Sequence, residues 1–131
     1  MNNAKTPEEL TAALAQFTGT TQFFRYWAGI SFFTDGVKYL ADEARCYWLL
    51  DAIGSYQAEL AKNPDERLHE LQFWTLTVNP DKSAVLTCIA DKGEPPAVRQ
   101  EIEWTDFPLP EIHIWLGFEG DKTIAYLPSE H

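Results

Sequence analysis

LQFWTLTVNPDKSAVLTCIA, residues 71–90, holds two runs of β-branched, aromatic and aliphatic residues around a turn signal. Leu71 to Val78 and Ala84 to Ala90 read as strands, and Asn79-Pro80-Asp81-Lys82 between them reads as a turn. The pattern continues toward the end of the chain. Val98 to Trp104, Ile112 to Phe118 and Thr123 to Leu127 are further strands. The segments between them, Asp91-Lys92-Gly93, Asp106-Phe107-Pro108-Leu109-Pro110 and Glu119-Gly120-Asp121, are too short for parallel crossovers, so neighbouring strands run antiparallel. Ile112, Ile114, Leu116 and Phe118 alternate with Glu111, His113, Trp115 and Glu119, which predicts a buried face and a wetter one.

Upstream of the meander the pattern changes. Thr6-Pro7-Glu8-Glu9 is a helix start, with Thr6 as cap, Pro7 in the first turn and Glu9 completing a capping box. Leu10, Ala13, Leu14 and Phe17 share a face, so a short helix runs to about Gln16 and Gly19 ends it. Gln22 to Trp27 and Ile30 to Thr34 read as a hairpin around Ala28-Gly29. Asp35-Gly36 reads as a tight turn with Gly36 at positive φ, and Val37 to Leu40 as strand after it. At helical spacing Cys46, Leu49, Ile53, Tyr56 and Leu60 cluster on one face, opposite Asp51, Ser55, Glu59 and Lys62. Extending that wheel backward would bury Asp42, which is therefore expected as the N-cap of a long helix ending at Asn63-Pro64. The expected fold is α+β. A mostly antiparallel sheet, an N-terminal hairpin plus a C-terminal meander, is covered by one long and one short helix. Residues 1–131 form a single domain, long enough for a core without staples.

Charge and composition narrow the function. The net charge is −10, and the imbalance lies late: after Lys62 there are 13 acids and 5 bases. Such a surface repels phosphate backbones and anionic lipid, and it admits a basic protein partner. Aromatic residues make up 14% of the chain, a heavy load that is mostly core, with Trp and Tyr favoured at contacts. Cys46 and Cys88 lack metal-ligand spacing and sit among apolar neighbours, so both are expected as buried free thiols. No signal peptide is read in the polar start and no apolar run reaches spanning length, so a cytoplasmic protein is expected.

Motifs of known chemistry are missing: no phosphate loop, zinc spacing, HExxH or nucleophile elbow occurs. No catalytic residue, metal ligand or cofactor is assigned. Candidate contact residues are Tyr47, Trp48 and Asp51, where two rings flank a carboxylate that would orient a cationic group. Glu101 and Glu103 share a strand face with Arg99, and Glu111 shares one with His113, which together suggest an acidic surface.

FTGTTQFFRYW at 17–27 and TDGVKYLADEARCYWLLDAIGSYQ at 34–57 resemble a small bacterial family without an assigned activity, found on plasmids and phages. The shared pattern falls on Phe17 to Thr20, Thr34 to Ala41, Tyr47 to Ile53 and Ser55 to Gln57. The resemblance implies a setting, that of small acidic modulators of host machinery, and transfers no residue roles. Three expectations follow. The first is a non-enzymatic interaction module for a protein, one that grips nucleic acid through a basic surface. The second is a small-ligand binder or enzyme, with a pocket between the main helix and the sheet lined by Tyr47, Trp48, Asp51, Tyr56 and His113. The third, compatible with either, is a homo-oligomer whose surplus aromatics form the interface.

Overall fold

A computed structural model describes residues 5–19, 22–26 and 29–131. Trp27 and Ala28, part of the expected hairpin, and Thr20, part of the family pattern, lie outside them. The order of elements is α1 (Pro7–Leu14), β1 (Phe23–Arg25), β2 (Phe32–Thr34), α2 (Asp35–Glu43), α3 (Tyr47–Ser55), α4 (Gln57–Leu60), a 3-10 turn (Glu66–His69), β3 (Leu71–Val78), β4 (Ala84–Ile89), β5 (Val98–Ile102), β6 (Glu111–Glu119), β7 (Lys122–Tyr126) and a second 3-10 turn (Pro128–Glu130).

The strands form one seven-stranded sheet in the order β1-β2-β7-β6-β3-β4-β5. All pairings are antiparallel except that of β2 with β7. The hairpin β1-β2 thus joins the edge of the meander that β7 would otherwise leave open. Helices on a mostly antiparallel sheet make the fold α+β, as the sequence predicts.

The helical part departs from the sequence reading. Asp35-Gly36 opens α2 and is neither a turn nor a glycine at positive φ, and Val37 to Leu40 are helical. Thr34 is the cap: its Oγ1 accepts the Val37 N–H at 3.2 Å. Asp42 lies in the last turn of α2 and not at a helix start. The single long helix is broken at Arg45, whose φ of 52° is left-handed, so the chain turns before α3 begins at Tyr47. Tyr56 then separates α3 from the single turn of α4. The broken path serves burial. It lets Val37, Leu40 and Ala41 of α2 and Leu49, Leu50 and Ile53 of α3 all be buried in one core.

Their counterparts are alternate residues of the strands: Trp74, Leu76, Leu86, Cys88, Ile114, Leu116 and Ala125, each at most 2% exposed. The buried Gln72 is satisfied within this layer. Its carboxamide exchanges two hydrogen bonds with Gln57, and its Oε1 accepts the indole N–H of Trp74 at 2.9 Å. The other set of alternate residues, from Leu71 through Phe73 and Thr75 on β3, stays half-exposed. One face of the sheet is therefore packed and the other open. No helix among the described residues is long and apolar enough to cross a membrane.

Candidate binding face

On the open face, register brings together residues far apart in sequence. Phe73 of β3 is opposite Trp115 of β6, and Trp115 is opposite Tyr126 of β7. Their rings meet edge to face, with centroids 5.0 Å apart for the first pair and 6.1 Å for the second. His131 closes the row: it stacks on Tyr126, meets Trp115 edge-on at 5.1 Å, and its Nδ1 lies 2.9 Å from the Tyr126 hydroxyl. Burial raises the Tyr126 phenol above its ordinary range. The ladder next to this row is Leu71, Gly117, Ile124 and Phe32. Gly117 has a steric reason: a Cβ there would stand 3.2 Å from Tyr126 Cε1.

Beside the row runs a groove of about 380 Å³ whose walls include Phe23, Leu71, Ile124 and Tyr126. It is continuous, through Phe23, Ile124 and Glu119, with a second hollow of about 330 Å³ that reaches Phe32 and Lys122. Phe23 is 57% exposed. Glu130 stands at the groove's end, and its place is fixed by the start of α2. Its Oε1 accepts from Thr34 Oγ1 at 2.7 Å and from the Leu127 N–H at 2.9 Å, while its Oε2 lies 3.3 Å from the Gly36 nitrogen. A carboxylate at this position complements the positive end of the helix.

Farther along the open face Thr75 Oγ1 lies 2.9 Å from His113 Nδ1, and His113 Nε2 lies 3.1 Å from Glu111 Oε1. A hydroxyl, an imidazole and a carboxylate thus follow one another as in an activated nucleophile. β3 is bonded on both sides, so the backbone groups around Thr75 belong to the ladders and offer no oxyanion donors. Glu111 and His113 are both about half exposed, and the arrangement is that of a solvated cross-strand cluster.

The other expected contact residues are dispersed. Tyr47 is half-buried and donates its hydroxyl to Asp42 at 2.6 Å, not to Asp51. Asp51 accepts instead from Tyr26 at 2.6 Å, and the two tyrosine rings stack with centroids 6.4 Å apart. Burial, with Asp42 as acceptor, pushes the Tyr47 phenol up to about 12, and Tyr26 is raised further by burial and by Asp51. Lys38 binds Asp42 at 2.7 Å, and with the Tyr47 hydroxyl it holds that carboxyl below its usual range. Trp48 packs half-buried against the core. Tyr26 thus bridges Tyr47 and Asp51 on α3, stacking on the ring of one and donating to the carboxylate of the other. Tyr47 also meets Phe33 edge to face at 6.3 Å, which ties β2 to α3. Tyr56 donates to Gln100 at 2.8 Å on the packed face, opposite to His113, so the two do not line a common pocket.

Glu101 lies on the open face beside Arg99, 3.1 Å away, and Glu103 is exposed beyond the end of β5. The open-face acids are thus interleaved with cations. The thiols of Cys46 and Cys88 are buried, and desolvation pushes both up to about 12, which leaves them neutral and inert near pH 7. No group of three metal-ligating side chains occurs among the described residues. The aromatic row, absent from the sequence reading, is the feature that register alone creates. Its one legible sign was Trp115 on the wetter side of β6.

No curated protein and no solved structure matches the chain. A family of unknown function, DUF6876, matches residues 8–131, nearly the whole domain, and the chain belongs to that family.

Proposed function

We propose that the protein is a non-enzymatic interaction module whose open sheet face receives another protein. The observation that carries this reading is the row Phe73, Trp115, Tyr126 and His131. Half-buried aromatic area stands on a strand surface that no helix among the described residues covers, and side chains of this type dominate the energetics of protein contacts. The partner is a basic protein. A chain of net charge −10 attracts such a partner over a Debye length, and the aromatic row then supplies short-range contact. A host protein that grips nucleic acid has the required surface, and the acidic domain would compete with phosphate for it.

The groove beside Phe23 and Tyr126 favours a second reading, a small-ligand site, because it is concave and joins apolar walls to Glu130 and His131. The two readings separate by experiment. The protein, immobilised, is exposed to bacterial lysate at low and high salt, and the captured protein is purified and titrated against wild type and Thr75→Arg. Binding that weakens with salt and with Thr75→Arg supports the protein-contact reading. Binding indifferent to Thr75→Arg removes the open face from the contact.

A further inference from the structure

We propose that β5 is a self-complementary edge through which two copies of this chain pair, extending the sheet across a twofold axis at Gln100. β5 is the last strand of the sheet, and among the described residues no strand pairs with its outer side. An edge strand presents a row of backbone N–H and C=O groups, and proteins ordinarily guard such edges with prolines, bulges or charges that repel a second strand. Here the charges are of both signs. The strand reads Val98-Arg99-Gln100-Glu101-Ile102, a sequence symmetric in character about its centre.

Antiparallel pairing of two identical strands has few solutions. Residues directly opposite must point to the same face, so the pleat permits only axes that pass through a residue. An axis at Arg99 sets Arg99 against its own copy, and an axis at Glu101 does the same for that carboxylate. Like charges then face each other. With the axis at Gln100, Arg99 stands opposite Glu101 of the second copy, and the reverse contact repeats across the axis. Val98 stands opposite Ile102 on the packed side. Of the three registers centred on Arg99, Gln100 and Glu101, only this one is complementary throughout.

The flanking residues agree with it. Trp104 is 64% exposed, an unusual position for the largest side chain, and the same register carries it to Pro96 of the second copy. Pro96 and Ala97 are themselves exposed, so the indole has an apolar surface to cover. In the single chain Arg99 already reaches Glu101 along its own strand at 3.1 Å, but both groups are more than half exposed and the contact contributes little. Pairing exchanges it for two contacts across the interface. The axis is perpendicular to the sheet, so both open faces lie on the same side and form one surface of double width. A partner with two matching sites would gain avidity from it. The pairing stands whether or not the open face binds a protein.

The test is charge reversal read by sedimentation over a range of protein concentration. Wild type is expected to associate to a dimer. Arg99→Glu alone and Glu101→Arg alone each place like charges opposite, and each is expected to weaken association at least about tenfold. The double variant Arg99→Glu/Glu101→Arg restores opposite charges in the same register and is expected to dimerise as wild type does. Trp104→Ala weakens association without touching the ladder. Both reversed positions are exposed, and circular dichroism checks that each variant is folded. A wild type that stays monomeric throughout the range overturns the proposal. So does a dimer that the single reversals leave intact, or a double variant no better than the single ones.

Discussion

The carboxylate of Glu130 occupies the space that a Cβ on Gly36 would need. A Cβ built there falls 2.8 Å from the carboxyl carbon. Two residues almost the length of the domain apart thus define each other. Gly36 is small because Glu130 bonds Thr34 and the first turn of α2, and α2 begins where it does partly because that bond exists.

This relationship predicts a non-additive pair of substitutions. Gly36→Ala alone forces the carboxylate aside and costs about 1–3 kcal/mol. Glu130→Ala alone leaves Thr34 without its acceptor and costs about 1 kcal/mol. The double variant is expected to be more stable than the sum predicts, because the clash disappears with the carboxylate. Urea unfolding of the four proteins measures the coupling.

A second prediction concerns Gln72. Replacing it with Leu leaves the Trp74 indole N–H buried without its acceptor, with an expected loss of about 1–3 kcal/mol. Gln57→Leu removes a partner nearer the surface and should cost less. Thermal unfolding of both variants decides the order.

Alkaline pH supplies a third. Tyr47 has an ordinary pKa of 10 that folding raises to about 12. A group raised in the folded state contributes stability that is complete below its unfolded pKa and is lost as pH rises through the folded one. Stability should therefore fall between about pH 10 and pH 12. Tyr47→Phe removes this ionisation, so the variant should lose less stability across that interval than wild type. Denaturant titrations at several pH values measure the difference.

Asp51→Ala gives a fourth. Asp51 is exposed and accepts one hydrogen bond, from Tyr26, so the expected loss is within about 1 kcal/mol. The Tyr26 phenol, raised partly by Asp51, should titrate at lower pH in the variant. Tyrosinate absorbance followed against pH reads that shift.

The meander was legible because its signals are local. Alternation placed Leu71 to Val78 on a strand with its bounds intact, and the capping box of α1 is present with Thr6 and Glu9 bonded reciprocally. What failed was set from far away. Asp35-Gly36 is a turn signal by itself, and only Thr34 as cap with Glu130 behind it makes those residues a helix start. Asp42 looked misplaced in a helix because its partners, Lys38 and Tyr47, lie on separate helices across the bend at Arg45. The open face suffered from the same limit. Which side of a strand Trp115 occupies follows from alternation, whereas its neighbours Phe73 and Tyr126 follow from register between strands, which period alone does not encode.

A site-specific photo-cross-link reads whether the open face is the contact surface. A photoreactive residue is placed at Thr87, on the open face of β4, and a second at Glu59 on the exposed side of α4. Cross-linking in bacterial lysate is read by mass spectrometry at low and high salt. One basic protein is expected to attach from position 87 at low salt, less at high salt and none from position 59. The same adduct from both positions, or one from position 59 alone, would contradict it.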